Sequence, residues 1–247
     1  MRAPAWLTAQ PIAHRGLHDA RLGVIENTLT AGEAAAQAGF AIECDVQLSA
    51  DGEAVVFHDF TLDRLTSGQG RVDALSVSAL AALSYKNCDD RIIPLATYLH
   101  QIARRVPLII EIKSRFDGDL RLARRVAEIA NSWASHVALM SFDPNIIQAL
   151  RELAPHLPRG IVAETSYEHG EWEILSAEQR SDFTHFTHIK HSQPDFLAWN
   201  VRDFPAATPT LVRHFGLPVL TWTVRTPDDR AQAAQFADQI IFEGFRP

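Results

Sequence analysis

Short apolar runs alternate with longer stretches in which apolar residues recur every three to four positions, along almost the whole chain. The runs are Pro11–His14, Phe40–Asp45, Leu108–Lys113, Val137–Ser141, Gly160–Ala163, Phe186–Lys190, Pro218–Val224 and Gln239–Glu243, eight in all. Seven stretches with helical spacing lie between them: Thr28–Ala38, Leu95–Arg104, Asp119–Ser132, Asn145–Leu153, Glu171–Arg180, Ala206–Phe215 and Asp228–Phe236. The runs are rich in Val, Ile and Leu, as parallel strands buried on both faces are. Eight such units in 247 residues predict an α/β fold of the TIM (β/α)8 barrel type. An open, doubly wound sheet is the alternative, but closing eight units into a barrel removes the exposed edges.

Two features interrupt the alternation. Ala41–Leu48 and Ala54–His58 are separated by Ser49-Ala50-Asp51-Gly52-Glu53. Asp-Gly between apolar runs is a hairpin signal, and five residues cannot hold a crossover helix, so this pair is predicted antiparallel. The fold-back returns His58 to the neighbourhood of Glu43 and Asp45. The stretch from about 60 to 93 holds Ser67-Gly68-Gln69-Gly70 and only one short helical pattern, Ser76–Leu83. It is predicted to be a small insertion after the second strand, lying over the barrel rim. Residues 1–247 are otherwise expected to form a single domain.

Composition narrows the class. A net charge of −7 (23 basic against 30 acidic residues) argues against a nucleic-acid partner, which would call for a basic surface. A small anionic substrate stays compatible, because a few local cations suffice to bind one. No apolar run is long enough to span a bilayer, so stable membrane insertion is not expected. Cys44 and Cys88 are too few for a disulfide framework. The first residues lack the apolar core of a secretory signal, and the expected location is cytoplasmic.

In a TIM barrel the chemistry lies at the C-terminal ends of the strands. There the chain offers His14-Arg15-Gly16, Glu43-Cys44-Asp45, His58-Asp59, Glu111-Ile112-Lys113 and, in a later strand, Trp222. Glu43 and Asp45 are two apart and share a face, as do Glu111 and Lys113, while Cys44 points away. Such charges in apolar strands must be paired or bind metal. One reading is a salt-bridge network through Lys113. The other is a site for Mg²⁺ or Ca²⁺, which favour hard oxygen donors. His14 and His58 reach the same rim and can divide base and acid roles near neutral pH. Asp59 either orients His58 or serves a turn, and Asn27 or Thr28 either caps a helix or faces the site. Arg15 offers a fork suited to phosphate oxygens. Together these groups describe cleavage or transfer at a phosphate ester, with Arg15 and Lys113 supplying positive charge where negative charge develops.

The ordered set His14-Arg15-Gly16, Glu26-Asn27-Thr28, Glu43-x-Asp45-Val46, Asp51-Gly52, Val55-Val56-Phe57-His58-Asp59, Leu62-Asp63-Arg64, Gly68-Gln69-Gly70, Ile93-Pro94, Glu111-Ile112-Lys113, Ser141-Phe142 and Trp222-Thr223-Val224 resembles the glycerophosphodiester phosphodiesterase family over nearly the whole chain. The resemblance implies a TIM barrel with a small insertion after its second strand. It implies hydrolysis of glycerophosphodiesters to sn-glycerol 3-phosphate and an alcohol, in lipid and glycerol metabolism. By that likeness His14 and His58 are the acid–base pair, and Glu43, Asp45 and Glu111 hold one divalent cation, Mg²⁺ or Ca²⁺. Arg15 and Lys113 contact phosphate, and Trp222 borders the glycerol. The glycerol 2-hydroxyl would act as internal nucleophile, through a cyclic phosphate.

The chain departs from the family pattern at Arg225, where Asn is usual, and in the final run Ile240–Pro247. Neither departure is expected to touch the core chemistry. Arg225 would offer a second anion contact. The missing closing helix leaves its place to be covered by Ala5–Gln10 or by a partner chain, as in a homodimer. The alternatives are another phosphodiesterase on the same scaffold, acting on a lipid or sugar phosphodiester like lysophospholipase D or sphingomyelinase D, a Schiff-base aldolase using Lys113, and a non-catalytic barrel. The insertion is not basic, which favours a soluble diester. Trp6, Trp133, Trp172 and Trp199 are read as packing residues, and His188 and Lys190, which share a face of the expected sixth strand, are also left as structural.

Overall fold

The computed structural model describes residues 3–133, 136–168 and 170–247. Among them nine strands form one sheet: β1 (Ile12–Ala13), β2 (Ala41–Leu48), β3 (Ala54–Val56), β4 (Leu108–Ile112), β5 (Val137–Ser141), β6 (Arg159–Ala163), β7 (Phe196–Asn200), β8 (Val219–Val224) and β9 (Gln239–Phe242). All but β3 run parallel, and β1 pairs with both β2 and β9, so the sheet closes into an eight-stranded barrel. β3 lies antiparallel on β2, with Val46 opposite Val56, as the Asp51-Gly52 turn demands; Gly52 takes a positive φ of 81° there.

The helices are α1 (Leu29–Gln37), α2 (Val77–Ala82), α3 (Leu95–Ile102), α4 (Arg121–Asn131), α5 (Pro144–Leu153), α6 (Ala177–Thr184), α7 (Ile189–Ser192), α8 (Ala207–His214) and α9 (Pro227–Phe236). Strand alternation sorts two cores. Ile12, Ala41, Ile109, Ala138, Met140, Val162, Phe196, Ala198, Leu220 and Ile241 fill the barrel. The residues between them, such as Ile42, Cys44, Ile110, Leu139 and Leu197, face the helices. Gly160 makes room for the ring of Phe196; a Cβ there would stand 2.1 Å from it. The segment after β3 wraps a small core of its own, with Phe57, Leu62, Val72, Leu80, Tyr85 and Ile92 buried against Ile25 and Val55.

Three expectations are corrected. The strand expected at Phe186–Lys190 lies instead at Phe196–Asn200. Phe186-Thr187-His188 is a turn, with Phe186 at φ 57°, and Ile189-Lys190 begin α7. Only Phe196-Leu197-Ala198-Trp199 has both faces covered, one by the barrel interior and one by the helices. The helix expected at Glu171–Arg180 is a 3-10 turn, Gly170–Ile174, followed by α6. Finally, Ala5–Thr8 does not take the place of a closing helix outside β9. It packs Leu7 and Trp6 onto the barrel interior, and Gln239 Nε2, at the start of β9, donates to Thr8 O at 2.9 Å. The outer face of β9 is covered from within the chain. The Phe242 ring meets Phe40 at 5.0 Å and Phe245 at 5.4 Å, and Arg230 lies over Phe245.

Candidate active site

The strand ends converge on a cavity of about 370 Å³. At the end of β1 the chain turns sharply, with Arg15 at φ 56° and Gly16 at φ 83°. A Cβ on Gly16 would come within 2.7 Å of the Ala31 backbone in α1, so the turn requires glycine for space as well as conformation. This turn aims the Arg15 amide at Glu43 Oε2 (2.9 Å) and sets its guanidinium between Glu26 (2.6 Å) and Asp45 (3.3 Å). Glu43 and Asp45 project inward from β2, while Cys44 is buried in the outer core. Glu111 comes from β4, with Lys113 just beyond it.

Carboxylate oxygens of Glu43, Asp45 and Glu111 lie within 4.8 Å of one another. Lys113 Nζ is 2.8 Å from Asp45 and 2.5 Å from Glu111. Burial alone would lower the lysine, but Asp45 and Glu111 hold its pKa above the usual value. Burial would likewise raise Asp45, yet Lys113, His58 and Arg15 keep it well below the usual carboxylate range. Glu43 differs: burial pushes it well up, and repulsion from Asp45 and Glu111 adds to this. Its Oε1 is buried without a hydrogen-bond partner among the described residues. Such an orphaned acceptor is costly in a protein interior. An all-oxygen set with a spare buried oxygen suits a hard divalent cation of the Mg²⁺ or Ca²⁺ type. The salt-bridge network through Lys113 is present as well, so the two sequence readings describe one cluster.

Two imidazoles flank this cluster. His14 Nδ1 donates to Glu243 Oε2 at 2.6 Å, and its Nε2 lies 4.0 Å from Glu43. Burial lowers the His14 pKa to about 4, against the opposing pull of the Glu243 bond. His58 Nδ1 donates to Asp59 at 2.7 Å, and Arg64 grips both oxygens of Asp59 at 2.6 and 2.8 Å. Asp59 therefore orients His58.

Asn27 faces the site and Thr28 caps the helix. The Asn27 amide donates to Asp45 Oδ2 at 2.8 Å, its Oδ1 accepts from the Asp45 backbone at 3.0 Å, and the Thr28 hydroxyl accepts from Ala31 N. Glu26 links Arg15 to Arg64.

The far wall of the cavity is aromatic and includes Phe60, Phe116, Phe142, Trp172 and Trp222. Phe142 meets Trp172 at 4.9 Å and Trp222 at 5.5 Å, and the Trp222 indole donates to Ala198 O at 3.0 Å. Trp172, read as a packing residue, thus borders the cavity. Asn200 and Arg202 supply the rim of β7, whereas His188 is buried against Phe183 and Phe186 away from it. Two residues at the end of the chain join the site. Arg225 lines the cavity, and its Nε donates to Glu243 Oε1 at 2.6 Å. Glu243, in a run expected to be remote from the chemistry, touches His14. Counting by twos along β9 from Gln239 and Ile241 would have turned Glu243 inward.

The chain is similar to known proteins in sequence and in fold. The family model described as "Glycerophosphoryl diester phosphodiesterase family" matches residues 14–243. The chain is 26% identical to the protein YhdW of Bacillus subtilis over 243 residues, 93% of this chain and 92% of that one. It is 34% identical over 163 residues to the glycerophosphodiester phosphodiesterase of Caldanaerobacter subterraneus, covering 61% of this chain and 65% of that one. Among solved structures, a phosphodiesterase of Oleispira antarctica in complex with the product sn-glycerol-3-phosphate superposes with a TM-score of 0.76. It is 24% identical, with 95% of this chain and 92% of that chain covered.

Proposed function

The chain belongs to the glycerophosphoryl diester phosphodiesterase family, and on that premise we propose that it hydrolyses glycerophosphodiesters to sn-glycerol 3-phosphate and an alcohol. The observation that carries this reading is the juxtaposition of two carboxylate-braced imidazoles with the Glu43–Asp45–Glu111 cluster in one cavity. The relative from Oleispira antarctica binds that same product. Glu43, Asp45 and Glu111 are the residues to hold Mg²⁺ or Ca²⁺. A divalent cation bound there would supply positive charge to the phosphate oxygens as negative charge develops on them.

This chain's own residues do the rest. Lys113 and Arg15 face the phosphate with fixed positive charge. Trp222 and the aromatic wall seat the apolar parts of the diester. His14, kept neutral by burial, takes the proton of the glycerol 2-hydroxyl as its oxygen bonds to phosphorus. His58 gives a proton to the departing alcohol oxygen as the old P–O bond breaks. Water then opens the cyclic phosphate at the 2-oxygen, with the two histidines in reversed roles. An internal nucleophile replaces a bimolecular encounter and so lowers the entropic cost. The whole chain, residues 1–247, acts in this reading as one domain, with the insertion at about 60–93 contributing Phe60 to the wall. Glycerophosphocholine and glycerophosphoethanolamine, with Mg²⁺ or Ca²⁺ present, should both yield glycerol 3-phosphate. His14→Ala and His58→Ala should each lose activity by roughly 10²–10⁴-fold with unchanged circular dichroism. Wild-type turnover in either variant would remove the acid–base assignment.

A further inference from the structure

His14, Glu243 and Arg225 stand at the ends of three neighbouring strands, β1, β9 and β8. The backbone locks them in register: His14 N donates to Phe242 O at 2.9 Å and Glu243 N donates to Val224 O at 3.1 Å. Across these strand ends runs a relay of side chains. Glu243 gives one oxygen to His14 Nδ1 and the other to Arg225 Nε, each at 2.6 Å. His18 Nε2 approaches the first oxygen to 3.7 Å. The same chemistry is built a second time from unrelated elements, where His58 Nδ1 meets Asp59 and Arg64 holds that carboxylate.

We propose that Glu243 is the positioning residue for His14 and that Arg225 fixes Glu243, a role that rests on the phosphodiesterase reading above. A carboxylate accepting from Nδ1–H selects the tautomer whose Nε2 carries the lone pair. That leaves Nε2 facing the Glu43 side of the cavity as the atom that takes up a proton. The same carboxylate favours the imidazolium formed once the proton has arrived. With both oxygens of Glu243 engaged by different partners, its rotation is restricted, and His14 inherits that restriction. Arg225 borders the cavity, but its Nε is committed to Glu243, so in this proposal the residue at which the chain departs from its family pattern serves the histidine.

The test combines steady-state kinetics of the metal-loaded protein on glycerophosphocholine with ¹⁵N NMR of the histidine rings, His14 being assigned by the signal lost in His14→Asn. Glu243→Ala should lower kcat by about 10²–10⁴-fold, the scale of a lost acid–base tautomer, with little change in KM. Glu243→Gln retains an oxygen able to accept from Nδ1 and should fall between Glu243→Ala and wild type. Arg225→Gln should lower kcat by roughly 10–100-fold, the scale of losing an outer partner, again with little change in KM. In the NMR arm, the neutral His14 ring should carry its proton on Nδ1 in wild type and shift toward Nε2 in Glu243→Ala. An unchanged tautomer or an undiminished kcat in Glu243→Ala would overturn the proposal. A raised KM with unchanged kcat in Arg225→Gln would also overturn it, by returning Arg225 to the substrate. Should the wild type turn over no glycerophosphodiester, the functional reading fails on its own, and the NMR arm still decides the positioning.

Discussion

Glu43 is buried among two other carboxylates with one oxygen unpartnered. Its pKa is raised above the ordinary 4.5 by burial first and by Asp45 and Glu111 second. The folded state therefore holds this proton more tightly than the unfolded chain does. The resulting stability is present at low pH and is lost as pH rises through the raised pKa. At neutral pH an ionised Glu43 is a liability in the metal-free protein. Glu43→Gln, which keeps the shape and drops the charge, should raise its Tm. Each tenfold difference in proton affinity is about 1.4 kcal/mol, and each kcal/mol moves Tm by about 2–4 °C for a chain of this size. Differential scanning fluorimetry in EDTA checks the sign, and a lower Tm in the variant would contradict it. At this scale most of the candidate site was legible. Glu43, Asp45, Glu111 and Trp222 lie in apolar strands, where period-two alternation gives their direction, and His14, Arg15, His58 and Lys113 lie just beyond strand ends. Glu243 is the exception, because it lies in the final run, whose departure from the family pattern masks that alternation. Trp172 was missed because it lies in a 3-10 turn, where no strand or helix period predicts a face.

Elements were legible where both periods were clean. Six of the seven expected helices and seven of the eight expected strands lie at or within a few residues of their observed positions. The exception, Phe186–Lys190, carries Phe186 and Ile189, which pack into the core between barrel and helices from a turn and from α7, a reason for burial that the local pattern cannot tell from a strand. His188 belongs to that segment. Packed between Phe183 and Phe186 and bonded to Ser192 at 3.1 Å, it has its pKa lowered by burial from 6.5 to about 4. The unfolded chain then binds this proton more tightly than the folded one. The contribution to stability is complete above pH 6.5 and is lost as pH falls through the window from 6.5 to about 4. Its full size is on the order of 3 kcal/mol. Denaturant melts should show a shallower loss of stability across that window for His188→Gln than for wild type, and parallel curves would contradict this.

For the whole molecule, closure is what makes the site. β1 and β9 lie at opposite ends of the chain, yet their pairing sets Glu243 against His14. The β2–β4 register likewise puts Asp45 opposite Glu111. Sequence could count the strands but could not measure these cross-strand distances. A net charge of −7 offers no long-range attraction for an anionic diester, so the proposed reading puts the attraction locally, at Arg15, Lys113 and a cation held by the three carboxylates. The most direct measurement is therefore release of glycerol 3-phosphate from glycerophosphocholine in EDTA, and again after Mg²⁺ or Ca²⁺ is restored, for wild type and Glu43→Gln. Release should be negligible in EDTA, return with metal in wild type, and stay negligible in the folded variant. Undiminished release in EDTA, or none with either metal, would contradict a metal-assisted glycerophosphodiesterase built on these residues.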